Sequence, residues 1–335
     1  MIMKRFCFLT VVLAAALCIS SCNDNNDEKT FGLCLVSVEN VGADFKDSIE
    51  KLSEAGIKQI ELMNYFGDGQ YGMTAEELKA YLDSKGVTVL SSNTMGGSVD
   101  VENEEDYLKR WDNLLKEHQV LGAKYVTMTA NLYWGDIDRV KKICETLNKI
   151  GALAKSYGIS FLYHFHNIEY CNIKNTDIMA AEFMLENTDP EYVNFQFDTF
   201  WAIQGKIDPV AFMKKHADRI PCLHFKDYYW LSDDSETYAE GYGPLFETFY
   251  QYCGKDVILD MEPYMTMEEM QAKVRMHEGI TRSETPWPTP RPGNRRPAPT
   301  ARPKVNADSL NQVRLKSMDA VLTDIEYLNS KSYVK

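Results

Sequence analysis

The chain has 335 residues, with 36 Lys and Arg against 49 Asp and Glu, a formal charge of −13, and a composition 44% hydrophobic and 25% charged. Such a composition excludes a disordered or fibrous chain and leaves room for one large domain or two small ones. The acidity excludes charge-driven binding to nucleic acid or to anionic lipid headgroups, while small uncharged or metal-bound ligands remain open.

At the N-terminus, Lys4 and Arg5 precede an apolar run from Phe6 to Ile19 that closes on small residues. The run is shorter than the ~20 residues of a membrane-spanning helix and has the order of a secretory signal peptide. Ile19, Ser20, Ser21 and Cys22 resemble a bacterial lipobox, so residues 1–21 are expected to leave as a signal and Cys22 to carry lipid. Cleavage there removes two basic residues and no acid, so −13 becomes −15 over the remaining 314 residues. Residues 22–30 are polar and lack apolar periodicity, as a flexible tether does. The expected location is therefore a bacterial membrane reached only through the N-terminal lipid, facing the periplasm or the cell surface. Of the eight cysteines, Cys7 and Cys18 fall in the signal, and Cys34, Cys144, Cys171, Cys222 and Cys253 remain beside Cys22. Five is odd and no CxxC occurs, so buried free thiols are expected rather than a disulfide framework or a zinc finger.

Short apolar runs then alternate with amphipathic ones. Strands are predicted at 31–38, 56–63, 87–93, 123–129, 159–166, 193–198, 220–227 and 256–262. Helices are predicted at about 44–55, from Thr74, near 103–121, 136–157, 174–186, 208–216 and 243–253, and finally over 308–328, where Leu310, Val313, Met318, Val321, Leu322, Ile325 and Leu328 keep helical spacing. Thr74 with Glu77 three residues on is a capping-box pattern. Strands apolar throughout and separated by helices indicate a parallel sheet covered on both faces. Eight such units favour a single (β/α)8 barrel over residues 31–335, with its chemistry at the C-terminal ends of the strands.

Two segments break the alternation of strands and helices. Residues 281–304 hold seven of the twelve prolines and six basic residues against one acid. Proline lacks the N–H that helices and ladders need, so this is expected to be an extended insertion on the strand-end side. Gly67 to Gly72 spells G-x-G-x-x-G, yet it follows the second strand, and the next strand ends in Ser91, Ser92 and Asn93 without the acid that a nucleotide ribose requires. Glycines that let a loop bend are the simpler account.

Chemistry concentrates at the later strand ends: Tyr163-His164-Phe165-His166-Asn167-Ile168-Glu169, then Asp198-Thr199-Phe200-Trp201, then His224-Phe225-Lys226-Asp227, then Asp260-Met261-Glu262. Singly, each has a structural use: His164 as a hydrogen-bonded barrel residue, Asp227 as a helix cap, Glu262 in an ion pair. Four consecutive strands ending this way weigh toward one shared site, with imidazole and carboxylate ligands that suit Mn²⁺, Mg²⁺, Co²⁺ or Zn²⁺.

YHFHNIEY, FDTFWAIQGKIDP and LHFKD resemble, in order and spacing, the YHNHxxEF, DTxWxxxxGxDP and HxKD segments of the sugar phosphate isomerase/epimerase family of xylose isomerase-like TIM barrels. YGMTAEEL after strand two is similar to that family's loop and helix. The resemblance covers about 31–265 and resumes in the last helix. It implies one divalent metal held by Glu169, Asp198, His224 and Glu262. Because many relatives have a Glu where this chain has His164, either Glu169 from the following loop or His164 itself is the strand-five ligand. His166 matches the family's sugar-ring histidine and Lys226 its strand-seven lysine, whereas Phe165 replaces the usual Asn.

The expected activity is isomerisation or epimerisation of a small carbohydrate by proton abstraction next to a carbonyl, or elimination from a keto-sugar or keto-glycoside. Glu262 or Glu169 would serve as base, and Lys226 or His166 would stabilise or protonate the enediolate. Trp134, Trp201 and Trp230 are candidates for stacking on the sugar, as His164 is for contacting it. The alternative is a tethered sugar-binding lipoprotein without turnover. A nucleic-acid substrate conflicts with the mature charge and with export.

Overall fold

In a computed structural model, residues 30–35, 44–67, 69–94, 99–128, 135–226 and 256–260 are described, with the backbone alone for Thr30, Lys226 and Asp260. Cys22, Trp134, Asp227, Trp230, Cys253, Glu262, the 281–304 insertion and the helices expected near 243–253 and 308–328 lie outside the described residues. Eight strands, β1 (Thr30–Cys34), β2 (Gln59–Met63), β3 (Thr88–Thr94), β4 (Tyr125–Met128), β5 (Ser160–His164), β6 (Val193–Asp198), β7 (Cys222–Lys226) and β8 (Asp256–Asp260), close into a barrel in sequence order. Every neighbouring pair is parallel, and β8 pairs with β1 to complete the ring.

Helices α1 (Phe45–Glu54), α2 (Ala75–Ser84), α3 (Glu104–Leu121), α4 (Ile137–Ser156), α5 (Ala180–Asn187), α6 (Thr199–Gln204) and α7 (Pro209–His216) fill the connections. Their starts are written in the sequence. Asp44, Asp136 and Asp208 each accept a backbone N–H from the first turn of α1, α4 and α7, and Thr74 with Glu77 forms the expected reciprocal box at α2. Gly69 and Gly72 have φ of 84° and 71°, left-handed values that glycine adopts without penalty, so residues 69–72 of the G-x-G-x-x-G stretch form a turn leading into α2.

Strand alternation sorts side chains into two cores. On β5 to β7, Phe161, Tyr163, Val193, Phe195, Phe197, Leu223 and Phe225 join the large apolar layer between barrel and helices. Leu162 and Cys222, with Cys34, Leu90, Tyr125 and Ile258, form a smaller cluster along the barrel axis. The outer layer is aromatic beneath the later strands: Phe165 stacks on Phe195 at 4.7 Å and Phe197 on Phe212 at 5.6 Å. Phe165 is thus turned into the helix-side core, and large apolar packing there holds the ends of β5 and β6 rigidly. Gly151 allows α4 to lie against the chain before β6, since a Cβ on it would sit 2.2 Å from the Tyr192 carbonyl oxygen.

The elements depart from the sequence reading in two places. A short helix, α6, begins directly after β6, because the Asp198 carboxylate that ends the strand also accepts the Trp201 N–H and caps it. The helix expected from 174 starts only at 180, because an antiparallel bridge from Asn172 to Met179 turns the chain first. Cys34, Cys144 and Cys222 are buried free thiols and Cys171 is partly buried.

Candidate metal and active site

Register brings the inward polar residues together. His164 at the end of β5 lies opposite Gln196 on β6, and Asp198, two residues further along the same face, lies opposite His224 on β7. The fifth participant comes from across the ring. On β2, Ile60 and Leu62 face the helices, so Glu61 between them faces the axis. A register shift between β2 and β3 at Ile60/Glu61 aligns Glu61 with Ser91.

All five side chains are buried. His224 Nδ1 lies 3.0 Å from Asp198 Oδ2, and its Nε2 lies 3.0 Å from Glu61 Oε1. His164 Nε2 lies 3.6 Å from the same Asp198 oxygen, while its Nδ1 meets Gln196 Oε1 at 2.5 Å. Gln196 Nε2 donates to Glu61 Oε2 at 2.9 Å. The two imidazole rings are nearly perpendicular, 4.8 Å apart.

Electrostatics separates the two histidines. Burial disfavours the imidazolium of His224, but the Glu61 charge and the hydrogen bonds to Asp198 and Glu61 outweigh it and hold its pKa well above the ordinary value. For His164, burial and the neighbouring His224 charge prevail, and its pKa is lowered. Burial would raise Glu61, yet the His224 charge and the hydrogen bonds from His224 and Gln196 bring it below the usual carboxylate value.

Two groups of donor atoms, each within 4.8 Å of one another, emerge among the described residues: His164, Asp198 and His224 at the ends of β5, β6 and β7, and Cys34, Glu61 and the same His224. The first offers two imidazole nitrogens and a carboxylate oxygen, the donor chemistry of a divalent transition metal or zinc site. Of the two strand-five candidates, His164 enters this group. Glu169 is in neither: its Oε1 accepts from the Tyr163 hydroxyl at 2.8 Å and its Oε2 from the His166 N–H at 2.7 Å, closing the turn over 167–170. Burial pushes its carboxyl up to about 8 against those hydrogen bonds.

His166 stands beside the group, its ring 5.1 Å from His164 and 4.7 Å from Trp201. Trp201 is only 2% exposed and packs against Phe200. Lys226 ends β7 opposite Asp260. Glu262 and Trp230 lie outside the described residues. Glu61 and Gln196 escaped the sequence reading, though a lone acid between two apolar strand residues was a visible sign. Across the ring, Ser91, Asn93 and Thr127 are buried on β3 and β4. Thr127 shares the inward face with Tyr125, and its buried hydroxyl oxygen has no hydrogen-bond partner among the described residues.

A closed eight-stranded parallel barrel whose later strands end in a histidine and carboxylate cluster defines a class of strand-end metal-site barrels. The chain belongs to the xylose isomerase-like TIM barrel family, whose model matches residues 49–272. It is similar to an inosose dehydratase of Clostridium beijerinckii, with 24% identity over 224 residues, 61% of this chain and 72% of that protein. Inosose dehydratase of Halalkalibacterium halodurans matches more briefly, at 34% over 85 residues, so that the chain spans only 27% of that relative. In fold, a sugar phosphate isomerase/epimerase from Parabacteroides distasonis ATCC 8503 matches with a TM-score of 0.64 at 23% identity, covering 92% of this chain and all of that one. The IOLI protein with a bound zinc atom matches with a TM-score of 0.57 at 14% identity, covering 75% and 95%.

Proposed function

We propose that this protein is a divalent-metal-dependent enzyme acting on a small carbohydrate, exported and held to a bacterial membrane by lipid on Cys22. The observation that carries the activity is the convergence of His164, Asp198 and His224 at the strand ends. The names of the relatives, dehydratase and isomerase/epimerase, agree with a sugar-like substrate.

His164, Asp198 and His224 would hold the cation, with Glu262 as the further ligand carried over by the family resemblance. When bound, a divalent metal supplies Lewis acidity to the oxygens of a carbonyl and its neighbouring hydroxyl. Glu262 takes the proton from the carbon beside the carbonyl. Glu169 is a poorer base, because both its oxygens are engaged and a pKa of about 8 leaves it protonated near neutrality. Lys226 or His166 stabilises the enediolate and returns the proton to the same carbon (epimerisation) or to its neighbour (isomerisation). Departure of a β-substituent from the same species instead gives elimination, as in a dehydratase or a lyase on keto-sugars and keto-glycosides. Ser91, Asn93 and Thr127 on the opposite wall supply uncharged polar groups suited to sugar hydroxyls.

The test is incubation of the metal-loaded protein with ketoses, inososes and 3-keto-glycosides in D₂O. Deuterium incorporation or elimination product that Glu262→Gln and Asp198→Ala abolish is the expected result. Saturable sugar binding without exchange or product across the panel would overturn the enzyme reading in favour of a binding protein. For the anchor, Cys22→Ser should release the protein from the membrane fraction, and unchanged fractionation would refute lipidation.

A further inference from the structure

Glu61 lies inside the barrel, one residue step from the proposed metal ligands, and is used by no step of the chemistry above. Its two oxygens are nonetheless fully committed. Oε1 faces His224 Nε2 at 3.0 Å and Oε2 faces Gln196 Nε2 at 2.9 Å. A carboxylate only accepts, so the nitrogen of His224 turned to it must carry the proton. The same argument orients the amide of Gln196: its NH₂ must point at Glu61, which turns its carbonyl oxygen to His164 Nδ1 at 2.5 Å. An amide oxygen also only accepts, so His164 carries its proton on Nδ1. The opposite nitrogens, His224 Nδ1 and His164 Nε2, are the two that face Asp198 Oδ2, at 3.0 and 3.6 Å. Asp198 is a carboxylate as well, so without a cation it accepts from His224 Nδ1 and that ring carries a proton on each nitrogen, while His164 Nε2 keeps its lone pair.

Resting on the metal-site reading above, we propose that Glu61 is a positioning residue: directly for His224, and through Gln196 for His164, it holds a proton on the far nitrogen of each ring, so that His164 Nε2, and His224 Nδ1 once a cation replaces its proton, are the nitrogens offered beside Asp198. One carboxylate on β2 thereby orients ligands on β5 and β7, from the far side of the ring. Histidine ligands generally need such an acceptor on the non-ligating nitrogen, and removing it weakens metal binding roughly 10–100-fold. The relay also disfavours metal at the Cys34, Glu61 and His224 group, because the His224 nitrogen turned to Glu61 is the one whose proton that carboxylate accepts.

The experiment uses the full chain labelled with ¹⁵N-histidine and titrated with Zn²⁺ alone. Long-range ¹H–¹⁵N spectra should show zinc on His224 Nδ1 and His164 Nε2, with protons on His224 Nε2 and His164 Nδ1. Glu61→Gln should lower zinc affinity roughly 10–100-fold and mix the His224 tautomers, with partial recovery in Glu61→Asp. Gln196→Leu should disturb His164 and leave His224 as in the wild type. Should Glu61→Gln fail to fold, the wild-type spectrum and Gln196→Leu still decide. Zinc on His224 Nε2, or zinc affinity and tautomers indifferent to Glu61→Gln and Gln196→Leu, would overturn the relay while leaving the metal site standing. Zinc that shifts neither ring in the wild type would overturn both.

Discussion

The two ends of the barrel axis each bury a carboxylate in a different setting. At the N-terminal end of the strands, Asp256 on β8 accepts from the Tyr125 hydroxyl at 2.6 Å and pairs with Lys124. Those donors leave no lone pair facing another, and the Lys124 side chain, 47% exposed, carries the compensating charge out to water. Burial and the bond to Asp256 push the Tyr125 hydroxyl far above its ordinary pKa, so it stays a donor. At the C-terminal end, Asp198 faces two imidazole nitrogens, while Glu61 meets the far nitrogen of His224 and Gln196 that of His164. The first arrangement is closed and structural. The second leaves three donor atoms converging on one point, the usual condition for binding a cation.

Mutations at the two ends should therefore separate binding from stability. The largest effect is expected from Asp198→Ala, which removes a proposed ligand and should cost more zinc affinity than the roughly 10–100-fold expected for loss of an outer partner. In urea unfolding, loss of the α6 cap should cost about 1 kcal/mol and the unpaired, buried His224 Nδ1 a further roughly 1–3 kcal/mol. Wild-type zinc affinity in that variant would erase the distinction between the ends.

His118, by contrast, is a buried histidine with no carboxylate partner among the described residues. Its Nδ1 donates to the Leu114 carbonyl at 2.7 Å, and its Nε2 meets the Ser92 hydroxyl at 2.7 Å. Burial lowers its pKa to about 4 from 6.5. The unfolded chain then binds this proton more readily than the folded one. The stability that His118 contributes is complete above about pH 6.5 and is lost as pH falls toward 4, a change of roughly 3 kcal/mol. Urea midpoints across that range should show the decline, and His118→Gln should flatten it.

Smaller effects belong to the closed end. Asp256→Ala strands the Tyr125 hydroxyl and one side of a half-exposed lysine, so a loss of roughly 2–3 kcal/mol is expected with zinc affinity unchanged. Tyr125→Phe removes one hydrogen bond and should cost about 1 kcal/mol by the same measurement. A change in zinc binding from either variant would mean that the two ends are coupled through the axial cluster of Leu162, Cys222 and Ile258.

His164, Asp198 and His224 were legible in the sequence because each ends an apolar run, and in a parallel barrel all strand ends meet at one rim. Glu61 was not, since QIELM reads equally well as a strand with its acid toward water. Glu169 illustrates the reverse case. Its distance from His164 in the sequence suits a ligand, but a turn of the chain gives its oxygens to Tyr163 and the His166 N–H. The Phe165 departure from the family pattern likewise has a physical account only in three dimensions, where its ring stacks on Phe195 away from the axis.

By itself, the sequence determined the eight strands, most of the described helices and their caps, because apolar periodicity and capping chemistry act over a few residues. Only the tertiary structure decided which face of β2 is inside, which nitrogen of each histidine is turned to Asp198, and which strand-five residue joins it. Those outcomes depend on ring closure and on register across the barrel, which bring residues as far apart as Glu61 and His224 to 3.0 Å.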